Sequence, residues 1–172
     1  QGSLIALPLA IKNLSRPIGI IYRRRRRLSP AAVKFMELLK APYGAGVPAD
    51  RVEALLRDDS AHQLKAVLVA HNETSTGVTS NVAAIRKALD AARHPALLLV
   101  DVVSSLASID FRMDEWGVDV AIACSQKGLM LPPGMGLLAA SDNAIRASEN
   151  AKCPRSYWDW APVLERNTRG EY

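Results

Sequence analysis

Residues 96–101 read Ala-Leu-Leu-Leu-Val-Asp, so five apolar side chains lead directly to a carboxylate. A continuous apolar run of this length is typical of a strand that is buried on both faces of a sheet. Similar runs occur before it, at Lys65–Ala70, and after it, at Val118–Ala123 and Gly136–Ala140. Because helical patterns alternate with these runs, the sequence predicts an α/β fold with a mostly parallel sheet and helices on both faces.

Two helices are predicted before the third of these runs. Asp50 can cap a helix over Arg51–Arg57, in which apolar residues recur at helical spacing. Ser80 can cap a second helix that continues to about Arg93, and His94-Pro95 then ends it. This spacing of strand, helix and strand favours parallel pairing, because a parallel connection needs a crossover of this length.

The connection between the last two runs is different. It extends from Ala123 to Gly136, contains Pro132-Pro133-Gly134 and leaves no room for a crossover helix. We therefore expect the last strand to run antiparallel to its neighbours. Ser141 or Asp142 is then expected to cap another helix.

The composition limits the kind of protein. The chain has 172 residues, of which 49% are hydrophobic and 23% charged, so a packed domain is expected and a disordered chain is excluded. Cys124 and Cys153 are too few for a disulfide scaffold and lack the spacing of a zinc site. His62, His71 and His94 share no ligand spacing, so no metal is predicted.

Positive charge is concentrated at one end. Residues 1–36 hold eight of the 22 basic residues and no acidic residue, so the rest of the chain carries −3 of the net +5. We therefore predict no nucleic-acid partner. Lys12 and Arg16 interrupt the apolar stretch from Leu4 to Ile21, so no membrane span is predicted either. Residues 1–40 form a basic segment to which we assign no function. Its composition is typical of an organellar presequence, and it could equally be a processed or truncated end.

Three polar segments follow the predicted parallel strands. They are residues 71–77, 101–105 and 125–128. Ligands of open α/β sheets bind outside the carboxyl ends of the strands, so we expect these segments to line one crevice.

Asp101 and Lys127 are the polar side chains that stand out in these segments. Asp101 could simply cap backbone amides, and Lys127 could be an ordinary solvated residue. Together, however, they offer what a Schiff base to pyridoxal phosphate requires: an amine for the aldehyde and a carboxylate for the pyridine nitrogen. Gln126 and the nearby hydroxyl groups could serve as donors to the phosphate and phenolate oxygens.

Six stretches of the sequence resemble those of a known enzyme family. They are HNETSTGV at 71–78, HPALLLVD at 94–101, Ser104-Ser105, DFRMDEWGVDV at 110–120, SQKGL at 125–129 and LPPG at 131–134. Through them, residues 41–172 resemble the class V pyridoxal-phosphate-dependent aminotransferases, most closely the serine–glyoxylate and alanine–glyoxylate group. The resemblance implies the central part of the large domain of a fold-type I transferase.

The resemblance also implies a role for five residues. Lys127 is the catalytic residue and binds the cofactor as a Schiff base, and Asp101 contacts the pyridine nitrogen. Val103 packs on one face of the ring, Thr74 bonds near the phenolate, and Gln126 helps to hold the phosphate.

The implied reaction is transamination between serine or alanine and glyoxylate, with small amino acids and 2-oxo acids as substrates. The implied assembly is a homodimer, cytoplasmic in a bacterium and peroxisomal in a eukaryote. Family enzymes are about twice as long, so residues 41–172 are expected to be a partial domain without its N-terminal part and without the small C-terminal domain.

Other readings stay open. They are another class V activity, such as serine–pyruvate transfer or cysteine desulfuration, and an inactive, non-catalytic α/β fragment. A desulfurase needs a mobile catalytic cysteine, whereas Cys124 is expected at a buried strand end and Cys153 after a helix. Both cysteines are therefore expected to be inert.

Overall fold

The computed structural model describes residues 46–171. The predictions for residues 1–40 therefore lie outside the described residues. The helices and strands, in chain order, are α1 (Ala49–Asp58), β1 (Ala66–Ala70), β2 (Asn72–Glu73), β3 (Val78–Thr79), α2 (Val82–Ala91), β4 (Leu97–Asp101), β5 (Val120–Cys124), β6 (Gly136–Ala140), α3 (Asp142–Glu149), a 3-10 turn (Ser156–Trp158) and α4 (Ala161–Arg169). None of the helices in this range has the length and apolar character needed to cross a membrane.

Four strands form the main sheet in the order β1-β4-β5-β6. β1, β4 and β5 are parallel, and β6 pairs antiparallel with β5. The predicted α/β fold and the predicted antiparallel last strand are both confirmed, because residues 125–135 connect β5 to β6 without a helix. β2 and β3 form a separate two-stranded hairpin.

The buried core lies on one face of the main sheet. The strand side chains on this face pack against the apolar sides of α1 and α2 in one cluster, which includes Val52, Leu56, Val69, Ile85, Leu89, Leu98, Val100, Ala121 and Ala123. On the opposite face, Leu68, Ile122 and Leu138 are 59%, 45% and 54% exposed. Within the described residues, helices thus cover the first face, whereas the predicted helix cover of the second face is not found at these three side chains, which stay open to solvent.

Two helix caps show where local sequence patterns succeed and fail. Ser141 caps α3 as predicted, because its Oγ accepts a hydrogen bond from the backbone N–H of Ala144 at 3.2 Å. The prediction that Asp50 caps α1 was wrong, because Pro48 is the N-cap and no side chain caps this helix. Asp50 lies instead in the first turn, where its negative charge favours the positive end of the helix dipole.

The predicted bounds of α2 also need correction. Asn81, not Ser80, is the N-cap, and its Oδ1 accepts a hydrogen bond from Ala84 N at 2.9 Å. The helix ends at Ala91 and does not reach Arg93, which has a left-handed φ of 51°. Both differences are shifts of one or two residues that depend on backbone geometry.

A buried carboxylate ties the elements together at the amino end of the parallel strands. Asp119 is 4% exposed and lies directly before β5. Its Oδ2 accepts a hydrogen bond from Leu98 N at 2.9 Å, and its Oδ1 accepts one from Ser141 Oγ at 3.0 Å. Arg86 Nη1 of α2 lies 3.7 Å from the same Oδ2. One side chain therefore connects β4, β5, α2 and α3.

Replacing Asp119 with Ala is expected to lower the free energy of unfolding by about 2 kcal/mol, because the buried Leu98 N–H loses its acceptor. Urea denaturation of the 172-residue chain measures this change. Asp114→Ala is the matched control, since Asp114 is exposed and a surface substitution of this kind is worth less than about 0.5 kcal/mol. Equal stability of the two variants would contradict the structural role of Asp119.

Candidate active site

Three segments lie at the carboxyl edge of the parallel strands. We call them the hairpin (residues 72–79, after β1), the Asp101 turn (residues 101–109, after β4) and the Lys127 loop (residues 125–135, after β5). Backbone hydrogen bonds between neighbouring strands hold the first residues of the three segments side by side. His71 N donates to Asp101 O at 2.9 Å, and Val102 N donates to Ile122 O at 2.9 Å.

Asp101 is the last residue of β4, and its side chain is exposed within the described residues. The carboxylate Oδ1 accepts a hydrogen bond from Val103 N at 2.8 Å, which orients the group. The Oδ2 atom makes no hydrogen bond within residues 46–171. The carboxylate of Asp101 is therefore solvated within the described residues, and the bond to a backbone amide that the sequence analysis considered is present. One oxygen is held and the other is available to a ligand.

The Asp101 turn is stiff because of its own backbone hydrogen bonds. Ser105 N and Leu106 N both donate to Val102 O, at 3.1 and 2.9 Å. Ser108 N and Ile109 N in turn donate to Ser105 O, at 2.9 and 3.0 Å. The segment thus forms two consecutive helix-like turns immediately after Asp101.

The Lys127 loop is organised by Ser125, which is 1% exposed. Its Oγ donates to Pro132 O at 2.7 Å and accepts from Met135 N at 3.3 Å. Its backbone N–H donates to Met135 O, and its carbonyl accepts from Leu131 N, both at 3.1 Å. The sequence analysis placed Ser125 in the third polar segment but did not predict that it organises the loop, although a small polar residue directly after a buried strand is a signal for such a role.

Gln126 and Lys127 follow Ser125, and both are exposed. The carbonyl of Lys127 accepts a hydrogen bond from Met130 N at 2.8 Å, so the backbone of the loop turns at this point. Neither side chain forms a hydrogen bond or an ion pair within the part of the chain that the structure describes. The amine and the amide are both free to meet a ligand.

Thr74 lies at the tip of the hairpin. The carbonyl of Glu73 accepts hydrogen bonds from Thr76 N and Gly77 N, at 3.2 and 2.8 Å, and Gly77 has the left-handed φ of 71° that this turn requires. Hydrogen bonds from Ser75 N and Ser75 Oγ lower the pKa of the Glu73 carboxyl. The Thr74 hydroxyl is exposed and makes no hydrogen bond to another described residue.

A side-chain link joins the hairpin to the Asp101 turn. Asn72 Nδ2 donates to Ser104 Oγ at 3.0 Å, and Ser104 Oγ donates to Asn72 O at 2.7 Å. Thr79 Oγ1 donates to Asn72 Oδ1 at 3.2 Å on the other side. The sequence offered no signal for this contact, because its two partners are 32 residues apart.

His71 lies directly beneath these loops and is 3% exposed. Its ring packs against Phe111 and Trp116, with centroid distances of 5.7 and 5.6 Å. Burial lowers the pKa of His71, and the negative charge of Asp110 opposes this effect. Its Nδ1 is buried and has no hydrogen-bond partner among residues 46–171, so the neutral ring is the favoured form.

The structure therefore brings the sequence-predicted residues to one edge of the sheet, on three neighbouring loops. Asp101 and Val103 are in direct contact, and Gln126 and Lys127 are consecutive. The side chains of Thr74, Asp101 and Lys127 form no hydrogen bonds to one another within residues 46–171. Such an arrangement of an amine, a carboxylate, a hydroxyl and an amide can bind a polar ligand that reaches all three loops.

The remaining histidines and cysteines form no second site. His62 and His94 are in ring contact at 4.9 Å, and His94 Nε2 lies 3.2 Å from Asp59 Oδ2. Among residues 46–171, no group of three metal-ligating side chains comes together. Both cysteines are free thiols; Cys124 is half-buried at the end of β5, whereas Cys153 is exposed.

Comparison with known proteins decides the family. The sequence profile of the family Aminotransferase class-V matches residues 44–154, which is more than half of the chain. The chain belongs to the class V aminotransferases. Its matched region contains every residue of the candidate site described above.

Two curated relatives of this class V chain are glyoxylate aminotransferases. The L-aspartate–glyoxylate aminotransferase of Paracoccus denitrificans is 57% identical over 134 residues, which are 78% of this chain and 34% of that protein. The serine–glyoxylate aminotransferase of Methylorubrum extorquens is 51% identical over 135 residues, 76% of this chain and 34% of that protein. The chain thus spans about a third of the length of these relatives.

A solved structure supports the fold. The alanine–glyoxylate aminotransferase of Nostoc superposes with a TM-score of 0.63 at 30% identity, over 73% of this chain and 32% of that one. The predicted membership of the class V aminotransferases is confirmed, and so is the predicted similarity to glyoxylate aminotransferases. The sequence analysis considered serine and alanine as amino donors, and the aspartate named for the first relative was missed.

The buried neutral His71 is expected to make stability depend on pH. An unfolded histidine gains a proton below a pKa of about 6.5, whereas the folded His71 has a lowered pKa, so stability falls as pH falls through this range. The aromatic variant His71→Phe is expected to lose less unfolding free energy between about pH 7.5 and about pH 5.5 than the unchanged chain. Urea denaturation at both pH values measures the difference.

The control for this measurement is His62→Gln, because His62 is exposed. It is expected to keep the pH dependence of the unchanged chain. The low pKa values of Asp59 and Glu73 place their titration below this window. An unaltered pH dependence in His71→Phe would show that burial of this ring is not its cause.

Proposed function

We propose that the enzyme to which this chain belongs transfers an amino group between an amino acid and glyoxylate with pyridoxal phosphate as cofactor. One observation carries the proposal. A lysine amine and a strand-end carboxylate oxygen, neither of which has a hydrogen-bond or ion-pair partner within residues 46–171, lie on adjacent loops at the carboxyl edge of the sheet in a class V aminotransferase chain.

The donor set of the three loops fits the cofactor. Pyridoxal phosphate has an aldehyde, a ring nitrogen, a phenolate oxygen and a phosphate, and when bound it withdraws electrons from the α-carbon of an attached amino acid. Four groups that have no partner among the described residues match these four features: the Lys127 amine, Oδ2 of Asp101, the Thr74 hydroxyl and the Gln126 amide.

Lys127 has the central role in this proposal. Its amine would hold the cofactor at the aldehyde carbon. When it is not bonded to the cofactor, the same amine would act as a general base toward the proton of the substrate α-carbon and as a general acid when it gives that proton back. The Lys127 side chain is exposed on the loop surface, which supports this double role. The role requires the lysine side chain to move between the substrate α-carbon and the cofactor.

Asp101 keeps the ring nitrogen protonated in this proposal. The hydrogen bond from Val103 N holds Oδ1, and Oδ2 makes no hydrogen bond within residues 46–171. An ionic hydrogen bond from a ring N–H to a carboxylate is stronger than a neutral one. A protonated ring nitrogen in turn makes the ring a better acceptor of electrons from the substrate.

Val103, Thr74 and Gln126 complete the proposed site. Val103 offers an apolar surface for one face of the ring, Thr74 donates near the phenolate, and Gln126 donates to the phosphate. Their positions on the Asp101 turn, the hairpin and the Lys127 loop support contacts to different sides of one ligand.

We further propose that residues 41–172 form the central part of a larger cofactor-binding domain and that the enzyme acts as a homodimer. The share of about a third of the relatives' length supports the first statement. For the amino donor we propose serine or alanine, and the name of the Paracoccus denitrificans relative adds aspartate. Glyoxylate-dependent activity with each of these donors, measured on the complete enzyme, distinguishes them.

Two alternatives make different predictions. A cysteine desulfurase needs a mobile reactive thiol, whereas Cys124 lies at a strand end with its Sγ 3.9 Å from Val103 O. A non-catalytic fragment would leave the Lys127 amine without a cofactor. The adduct experiment below separates this second alternative from the proposed function.

The test of the proposal is an adduct on Lys127. The 172-residue chain is mixed with pyridoxal phosphate, reduced with borohydride and digested, and the modified peptide is identified by mass spectrometry. The reduced adduct is expected on Lys127 and is expected to disappear in Lys127→Ala. Lys152→Ala is the control, because Lys152 is also exposed but lies outside the three loops. Labelling spread evenly over exposed lysines would refute the assignment.

Replacing Asp101 with Asn is expected to weaken cofactor binding about tenfold or more, because an ionic hydrogen bond is replaced by a neutral one. The Asn side chain can still accept the bond from Val103 N, so folding should be preserved. Titration of cofactor absorbance against protein concentration gives the dissociation constant. Asp110→Asn is the control, and equal binding by the two variants would count against the role of Asp101.

A further inference from the structure

Gly128, directly after Lys127, touches the backbone of the Asp101 turn. A Cβ atom built on Gly128 would lie 2.1 Å from Leu106 O, 2.5 Å from Ser108 Oγ and 3.0 Å from the carbonyl carbon of Ala107. Real Cβ atoms do not approach other heavy atoms this closely. The Lys127 loop and the Asp101 turn are therefore in contact at a point where only hydrogen fits.

The surface that Gly128 meets cannot easily retreat. Leu106 is held through its N–H to Val102 O, and Ser108 through its N–H to Ser105 O. Between them, Ala107 has a φ of 60°, in the left-handed region that restricts a residue with a Cβ. The two closest obstacles include a backbone carbonyl oxygen, so a change of side-chain rotamer does not relieve the clash.

The Lys127 side of the contact is equally constrained. The carbonyl of Lys127 accepts the N–H of Met130, whose φ of 53° is also left-handed. Ser125 anchors the start of the loop through four hydrogen bonds. A shift of Gly128 therefore moves Lys127 as well, because Ser125 is fixed two residues before Lys127 and the hydrogen bond from Met130 N to Lys127 O closes the turn around Gly128.

We propose that Gly128 is a positioning residue whose contact with residues 106–108 sets the place of the Lys127 backbone, from which the amine reaches out, relative to Asp101. The proposal rests on the proposed function for the meaning of that placement, but the contact itself is a property of the chain alone. Both groups would meet one planar ligand, so the backbone positions from which the two side chains start must keep a constant distance, while the Lys127 side chain itself stays free to move. The direct contact between the two loops supplies that constraint.

The test compares Gly128→Ala with Gly136→Ala in the 172-residue chain without cofactor. Gly136 lies at the start of β6, and a Cβ there meets nothing within 4 Å. Brief trypsin treatment followed by mass spectrometry measures the rate of cleavage after Lys127. Gly128→Ala is expected to raise this rate roughly tenfold, because overpacking displaces the loop from its contact. Gly136→Ala is expected to leave the rate unchanged, and equal rates in all three chains would overturn the proposal.

A second substitution tests whether backbone is the obstacle. Ser108→Ala removes the Oγ atom at 2.5 Å but leaves the Leu106 carbonyl at 2.1 Å. In the double variant with Gly128→Ala, the fast cleavage is therefore expected to persist. Restored protection would show that a flexible side chain, and not the Asp101 turn itself, limits the space at Gly128, and the proposal would fall.

A measurement on the unchanged chain covers the case in which Gly128→Ala does not fold. If the two loops hold each other, the amides of Ser108 and Ile109 and those of Met130 and Leu131 open together. Hydrogen exchange is expected to give protection factors for the two pairs within about tenfold of each other. A larger difference between the pairs would overturn the proposal.

The cofactor adduct then separates this inference from the proposed function. A reduced adduct on Lys127 that is several-fold weaker in Gly128→Ala than in Gly136→Ala supports both. An adduct of equal yield in the two variants refutes the positioning role. Absence of any Lys127 adduct in the unchanged chain refutes the proposed function, while the trypsin and exchange results still decide whether the contact holds the loop.

Discussion

Backbone pairing between three parallel strands holds the candidate site together. Ala70, Asp101 and Ile122 lie side by side in register, so their side chains share one face of the sheet. A slip of one residue would send Asp101 to the opposite face, into the core, because successive side chains in a strand alternate. Asp119 opposes such a slip from the other edge, since its carboxylate binds the backbone of Leu98.

The polar groups at the carboxyl edge divide into two kinds. Asn72, Ser104 and Ser125 are bonded to other parts of the protein and hold the loops in place. Thr74 and Lys127, in contrast, make no such bonds with other described residues. In a binding site, the residues that orient the loops need their own hydrogen bonds, whereas the groups that contact the ligand must stay unbonded. The two kinds of polar group at this edge meet both requirements. This division distinguishes the edge from an ordinary polar surface, where side chains are free but unsupported.

Much of this architecture follows from local sequence, and the remainder does not. Apolar runs predicted β1, β4, β5 and β6, and the short, proline-containing link predicted the antiparallel direction of β6. The cap of α2 was misplaced by one residue, because Ser80 and Asn81 are both good caps and the backbone decides between them. The contact of Gly128 with the Asp101 turn depends on tertiary structure, so no local pattern could reveal it.

The site residues, too, could not be assigned from local sequence alone. An isolated strand-end carboxylate and a loop lysine occur in many α/β chains, so spacing alone could not assign Asp101 and Lys127. The family resemblance singled them out, and the structure adds that their loops touch. The exposure of Asp101 could not be anticipated, because an aliphatic run does not tell where the strand leaves the core.

The exposure of Asp101 also determines how a ring ligand could be held. An ion pair in open water is worth only about 0–1 kcal/mol, so a bare carboxylate at the sheet edge would bind a ring nitrogen weakly. An aromatic ring changes this balance, because it brings its own apolar surface and excludes water from the bond it makes. Val103 follows two residues after Asp101, and its N–H already fixes the carboxylate. A ring packed on the Val103 side chain would therefore shield the same carboxylate that binds its nitrogen, so the two residues act as one unit.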